Sequence, residues 1–180
     1  TGTGNISFNA VNNGTAPIVA TIVVTPTFTN AGVSCSGPAK TYTITVNPSA
    51  QVNQPTSQVV CNGDATTAIS FTTNNTVGAT SYTWTNSNPA IGLLGTGTGN
   101  IASFTASNNG TSPVVATIVV TPTFTNAGVT CPGSSKTFTI TVNPTAQVTQ
   151  PANVDVCNSQ PTTVSYGTVN AGGTTVYTWT

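Results

Sequence analysis

Apolar residues and threonines alternate strictly along two segments of the chain. Residues 41–46 read Thr-Tyr-Thr-Ile-Thr-Val, and residues 137–142 read Thr-Phe-Thr-Ile-Thr-Val. A period of two places the apolar side chains on one face of an extended segment and the threonines on the other. This pattern is typical of an antiparallel strand with one buried and one solvated face. We therefore predict a strand at each segment.

Other parts of the chain carry the same kind of signal. No window has the 3.6-residue apolar period of a helix, and clusters of Gly, Asn and Pro separate the apolar runs. About seven short strands within a stretch of about 95 residues are typical of a β-sandwich. Further strands are predicted at about 57–61, 66–73, 79–86, 100–107 and 114–124, with breaks at 62–63, 74–78, 86–89, 95–100, 108–113 and 126–134.

The chain repeats itself. Residues 14–48 match residues 110–144 at 28 of 35 positions without a gap, and Tyr82-Thr83-Trp84-Thr85 recurs at 177–180. The offset is 95 or 96 residues, because Ala102 has no counterpart in the first copy. A unit of this size is a domain rather than a solenoid turn, which cannot bury a core alone. The sequence predicts a tandem array of β-sandwich domains with a repeat of about 95 residues.

Proline marks the boundaries between these units. Each alternating strand is followed by Asn-Pro, at 47–48 and at 143–144. Proline cannot donate to a strand ladder and restricts the residue before it, so it ends a strand and stiffens the segment after it. We predict that residues 1–48 are the C-terminal part of one repeat, 49–144 a complete repeat, and 145–180 the N-terminal part of the next.

The composition argues against most chemistry. Only 2% of the residues are charged, there is no His, and the four ionic side chains are isolated in sequence: Lys40, Asp64, Lys136 and Asp155. General acid–base catalysis needs such groups close together, and nucleic-acid binding needs several Lys or Arg. The same shortage of carboxylates argues against calcium sites. We expect no catalytic residue, no metal, no cofactor and no nucleic-acid partner.

The chain resembles a known family at two segments. Ser81-Tyr82-Thr83-Trp84 lies in a mid-domain strand, and Lys136 to Pro144 closes the repeat. Together with the Val60-Cys61-Asn62-Gly63 opening, they resemble the PKD-like immunoglobulin-fold repeats of giant surface and gliding-motility adhesins of Bacteroidota. The resemblance implies tandem immunoglobulin-like sandwiches in a cell-surface protein. It departs from the family where aspartates usually follow Tyr-x-Trp, since residues 85–88 are Thr-Asn-Ser-Asn.

Four cysteines recur with the repeat, at Cys35, Cys61, Cys131 and Cys157. Two per repeat without histidine favour disulfides in an oxidising, extracellular setting over metal ligation or free thiols. A pairing of equivalent positions would span about 40 Å, a strand and its loops at ~3.3 Å per residue, so it is discarded. A Cys35–Cys61 bridge would cross a repeat junction. We favour Cys61–Cys131, which closes one repeat, with Cys35 and Cys157 paired outside it or across a junction.

The aromatic residues have two interpretations. Trp84 and Trp179 occur once per repeat in alternating segments, which favours a sandwich core over a stacking platform for a glycan. The side chains that we expect in the core are Tyr82, Trp84, Phe138, Ile140, Val142 and Trp179.

Two functions fit these features. The first is a structural stalk or filament segment of a large, secreted, repetitive cell-surface protein, because near-identical repeats add length rather than new sites. The second is an adhesive module that binds a surface polysaccharide by avidity over many weak sites. The expected partners are neighbouring repeats of the same chain, with lateral self-association or surface glycans in addition. No stretch is apolar enough to enter a membrane, and no signal peptide is expected in the first residues.

Overall fold

The computed structural model describes residues 1–180 and shows an all-β protein with a single 3-10 turn at Pro89–Ile91. Its contacts divide it into two compact units: unit 1 is residues 1–52, 72–81 and 122–134, and unit 2 is residues 53–71, 82–121 and 135–180. The strands are β1 (Ile18–Val24), β2 (Thr27–Asn30), β3 (Val33–Ser36), β4 (Lys40–Val46), β5 (Gln58–Cys61), β6 (Ala79–Asn86), β7 (Thr96–Thr98), β8 (Val114–Asn126), β9 (Val129–Pro132) and β10 (Lys136–Asn143). The all-β class predicted from the sequence is confirmed.

Unit 1 contains a two-stranded sheet and two hairpins. β1 pairs antiparallel with β4, with Ile22 opposite Tyr42 and Ile18 opposite Val46. β2 pairs with β3, and the end of β8 pairs with β9 in the same way. The Pro26 carbonyl accepts a 2.9 Å hydrogen bond from the Gly37 N–H at the base of the first hairpin.

These hairpins correct the loop predicted at 126–134. Ala127 and Gly128 have φ of 48° and 77°, and their equivalents in the first hairpin are also left-handed. Positive φ at both central residues is the type I′ geometry that suits the twist of a two-residue hairpin. The usual sequence signal for this turn is Asn-Gly. Here alanine occupies the first central position, so the hairpin could not be recognised from its turn residues.

Unit 2 contains the strand order β5-β10-β8-β6-β7. β10 is antiparallel to β8, with Phe138 opposite Ile118 and Ile140 opposite Ala116. On its other side β10 is parallel to β5, with Val142 opposite Val60. The alternating segment 137–142 is therefore an interior strand of this sheet, and its apolar residues Phe138, Ile140 and Val142 are buried.

The strands predicted at 66–73 and 100–107 are wrong as continuous elements. In place of a continuous ladder the structure has isolated bridges, one between Ile69 and Ile101 and one between Thr105 and Ala65, just before the first segment. Side chains replace parts of the ladder, because the Phe104 N–H donates to the Thr66 hydroxyl at 3.1 Å. Threonine and asparagine compete in this way with regular pairing, so a period-two pattern alone does not ensure a strand.

The core of unit 2 lies beneath β8 and β10. Ile118, Val120, Ile140 and Val142 are fully buried. Phe71 packs at the edge of this cluster, with its ring 6.3 Å from Phe138 and 5.5 Å from Tyr82 between centroids.

Candidate functional site: the repeat junction

The structure holds no cluster of ionisable side chains that could act in catalysis. Lys40, Asp64, Lys136 and Asp155 are all exposed, and no group of three or more His, Cys, Asp or Glu residues converges on a metal position. None of its helical segments has the length and apolar character needed to cross a bilayer. The features that recur with the repeat lie instead where one copy ends and the next begins.

Asn75 holds the first junction together. Its side-chain oxygen accepts from the Gln51 N–H at 2.7 Å, and its amide nitrogen donates to the Ser49 carbonyl at 3.1 Å. The next residue, Thr76, donates its backbone N–H to the Thr15 carbonyl at 2.9 Å. The hydroxyl of Thr73 donates to the Asn75 side chain at 3.0 Å and fixes its orientation. We call this arrangement the asparagine clamp.

The same clamp closes the second junction, within unit 2. The Gln147 N–H donates to the Asn170 side-chain oxygen at 2.6 Å, and the Asn170 amide nitrogen donates to the Thr145 carbonyl at 3.0 Å. Ala171 donates its N–H to the Thr111 carbonyl at 2.9 Å. Every contact of the first clamp thus has its counterpart one repeat later.

At each junction a second asparagine positions the threonine carbonyl that the clamp binds, which is Thr15 in the first and Thr111 in the second. The Asn12 amide donates to the carbonyls of Ala16 and Val46, both at 2.8 Å, which ties the loop around Thr15 to the end of β4. Asn108 makes the equivalent bonds, and its amide reaches the Val142 carbonyl at 2.7 Å. Each last strand is therefore linked through a short loop to the clamp that comes after it.

The first junction is also closed by packing inside unit 1. Pro48 is fully buried, and Ala50 and Val52 are only 3% and 5% exposed. Ala50 forms a parallel bridge with Gly133, just after β9. Residues 48–52 are therefore a buried plug rather than a flexible linker.

Two amide side chains add to this closure. The Asn126 amide donates to the Asn47 side-chain oxygen at 2.9 Å, so the tip of the β8–β9 hairpin is bound near the end of the preceding copy. Phe124 is fully buried in this hairpin and lies beneath Gly78.

The expected core residues are buried to different extents. Trp84, Phe138, Ile140 and Val142 are buried, and Tyr82 is half-buried. Trp179 instead differs from the expectation, since it is 80% exposed. The ring of Trp84 lies against Gly97 of the neighbouring strand β7, and residues 145–180 contain no equivalent of β7.

All four cysteines carry free thiols in the structure. Cys61 lies opposite Asn143 of β10, and Cys131 lies opposite Phe124 of β8. The structure does not bring Cys61 and Cys131 into a bridge, and that pairing stays a prediction. Cys35 lies opposite Phe28 in the first hairpin, and Cys157 is exposed.

One groove of unit 2 lies beside the buried ring of Trp84. It is formed where β6, β7 and β8 run side by side, and its walls are mostly threonine. The Trp84 indole N–H is buried beside it and donates no hydrogen bond. The lining residues are Thr83, Trp84, Thr85, Thr96, Gly97, Thr98, Val119 and Thr121.

Comparisons with family models, with curated proteins and with solved structures find no match for this chain. The junction geometry is therefore interpreted from its own residues.

The residues of the clamp were not predicted from the sequence. Its signal was present, because Thr-x-Asn recurs at 73–75 and 168–170 inside segments that have otherwise diverged. Asparagine is common in turns, however, and a turn residue was a sufficient explanation for each one. Only the structure shows that these amides bind main-chain groups of the junction.

Proposed function

We propose that this chain is a non-catalytic structural segment of a large, repetitive extracellular protein, a stalk or filament built from immunoglobulin-like, PKD-like β-sandwich repeats. The observation that carries the proposal is the repetition of the asparagine clamp. Asn75 and Asn170 make the same bonds to the same main-chain positions at both junctions. A protein that used its repeats as independent binding modules would have no need to fix each junction in the same way.

The low charge supports the same proposal. With 2% charged residues and a net charge of zero, electrostatic repulsion between repeats is negligible. The distance between repeats along the chain would then depend on the folded repeats themselves and on the closed junctions between them. Neighbouring repeats of the same chain are the main partners in this proposal, at the cell surface or in a secreted fibre.

The test is the mass and location of the parent protein. We expect an intact mass of several repeats beyond this segment, and release of the protein from whole cells by external protease. A parent that contains only these copies, or one that protease cannot reach outside the cell, would overturn the proposal.

The polysaccharide-binding alternative rests on the threonine groove beside Trp84. In that case, added surface polysaccharide would shift the indole N–H resonance of Trp84 but not that of Trp179, which lies outside the groove. Thr85→Val and Thr98→Val would weaken the shift, and Thr43→Val, on a different sheet, would serve as the control. An unchanged Trp84 resonance at saturating polysaccharide would rule out this site.

A further inference from the structure

The chain contains three Asn-Gly pairs, at 13–14, 62–63 and 109–110. At such a pair an asparagine can lose its amide without an enzyme, because glycine has no side chain to hinder its backbone nitrogen. Hydroxide removes the glycine N–H proton, the nitrogen attacks the asparagine side-chain carbonyl carbon, and ammonia leaves with a proton from water. Water then opens the five-membered succinimide to aspartate or isoaspartate. The reaction therefore needs a glycine nitrogen that is free to approach the asparagine side chain.

In two of the pairs the glycine is bound by the asparagine that precedes the pair. The Gly14 N–H donates to the Asn12 side-chain oxygen at 2.9 Å, and the Gly110 N–H donates to the Asn108 side-chain oxygen at 3.0 Å. The amide nitrogens of the same two asparagines bind the ends of β4 and β10, so their oxygens are kept beside the glycines. The glycine nitrogen can attack only after its hydrogen bond has opened, which lowers the fraction of molecules able to react.

The third pair is restrained on both sides of the reacting bond. The Gly63 N–H donates to the Ala106 carbonyl at 2.8 Å. The Asn62 side chain is fixed as well, because its oxygen accepts from the Asn108 N–H at 2.7 Å and its nitrogen donates to the Thr145 hydroxyl at 3.0 Å. Both the attacking nitrogen and the carbonyl carbon that it would attack are held in place.

We propose that Asn13, Asn62 and Asn109 are sites of spontaneous succinimide formation, and that the hydrogen bond on each following glycine suppresses the reaction in the folded chain. The site at 109 lies in the loop that supplies the Thr111 carbonyl to the second clamp. Isoaspartate there would lengthen the loop backbone by one carbon atom and add a negative charge to a chain whose formal net charge is zero. Modification would therefore begin to open the junction. The inference goes beyond the stalk proposal and does not rest on it.

The first test compares the folded chain with the unfolded chain. The full 180-residue chain is kept at mildly alkaline pH with and without guanidinium chloride, and deamidation at each Asn-Gly pair is followed by peptide mass spectrometry. Anion exchange of the intact chain gives an independent reading, since each event adds a negative charge. We expect every pair to react more than ~tenfold more slowly in the folded chain. Equal rates in the two states would overturn the proposal.

Two variants test the individual hydrogen bonds. Asn108→Ala removes the acceptor that holds the glycine after Asn109, and it should raise deamidation of Asn109 toward the rate of the unfolded chain without changing that of Asn13. Asn12→Ala removes the acceptor that holds the glycine after Asn13, and it should have the reverse effect. Each variant thus carries its matched control in the equivalent loop of the same molecule.

Unchanged deamidation beside the substituted asparagine, in a variant whose circular dichroism matches that of the unchanged chain, would overturn the proposal. So would equal acceleration at both loops in such a variant, because protection would then come from the fold as a whole. If one variant does not fold, the other variant and the comparison of folded with unfolded chain still decide. None of these results bears on the mass or location of the parent protein, so the stalk proposal keeps its own test.

Discussion

Gly133 and Ala50 approach so closely in unit 1 that a Cβ atom on the glycine would overlap the Ala50 carbonyl oxygen. The two residues form a parallel bridge between the hairpin of one repeat and the plug at the end of the preceding repeat. Glycine is required there by the approach of another backbone, not by its own φ. A single bridge therefore links the plug to the segment that follows β9.

Gly133→Ala should therefore open the first junction. Overlap with a backbone atom cannot be relieved by a rotamer change, and we expect a loss of about 1–3 kcal/mol in the stability of that contact. Amide hydrogen exchange of residues 50–52 should accelerate. Gly37→Ala is the matched control, because its Cβ would meet only the ring and carbonyl of Pro26, at 3.0 Å or more. Equal exchange in the two variants would contradict this account of the junction.

Asn75→Ala should weaken the same junction by another route. The substitution leaves the Gln51 N–H and the Ser49 carbonyl without partners, at a cost of about 1–3 kcal/mol if water cannot replace them. We expect faster proteolysis of residues 48–52, the buried plug, at a fixed protease concentration. The neighbouring Asn74→Ala removes an exposed amide of the same type and should leave the cleavage rate unchanged. Identical rates for both variants would show that the clamp does not restrain the plug.

The two tryptophans should differ sharply in their contribution to stability. Trp84→Ala removes a buried ring that lies against Gly97, and we expect a loss of about 3–5 kcal/mol in the free energy of unfolding. Trp179→Ala alters an exposed side chain and should change this free energy by less than about 0.5 kcal/mol in dilute solution. Urea denaturation followed by circular dichroism gives both values. A large effect of Trp179→Ala in a monomeric sample would contradict the exposed position of that ring.

The hairpin turns provide a fourth pair of variants. Ala127 has a φ of 48°, a conformation that costs an L-residue about 1–2 kcal/mol, while Gly128 has a φ of 77°. Gly128→Ala should therefore destabilise the hairpin, although its Cβ would meet no neighbour within 4 Å. Ala127→Gly should be neutral or slightly stabilising. Thermal denaturation of the two variants tests the assignment, and equal losses would contradict the type I′ turn.

Stability should depend little on pH and salt. The chain has no histidine to change charge between pH 5 and 8 and only four ionic side chains, all of them exposed. We expect the thermal midpoint to stay nearly constant over that pH range and between low and high sodium chloride. A shift of several degrees in either series would mean that electrostatic interactions contribute more than this composition allows.

The all-β class, the repeat and the interior strands could be predicted from the amino-acid sequence alone. The alternation in 137–142 predicted β10 because a strand with one apolar face has only one way to bury it. The near-identity of 14–48 and 110–144 predicted matching strands, and β4 and β10 lie at equivalent positions, although the single strand β8 corresponds to two strands, β1 and β2, in the first copy. Local patterns of this kind indicate the backbone conformation and the face of the strand on which each side chain lies.

Burial and the contacts between repeats depend instead on tertiary packing. Tyr42 and Phe138 occupy the same position in the repeat, yet one is 44% and the other 3% exposed, because burial depends on the side chains that pack against each copy, such as Phe71 against Phe138. Asn75 and Asn74 are adjacent and chemically identical, yet only Asn75 binds the main chain of the plug. The period of the apolar residues indicates which face of the strand a side chain occupies, but it does not indicate what packs against that face. That information arises only when segments far apart in sequence pack together.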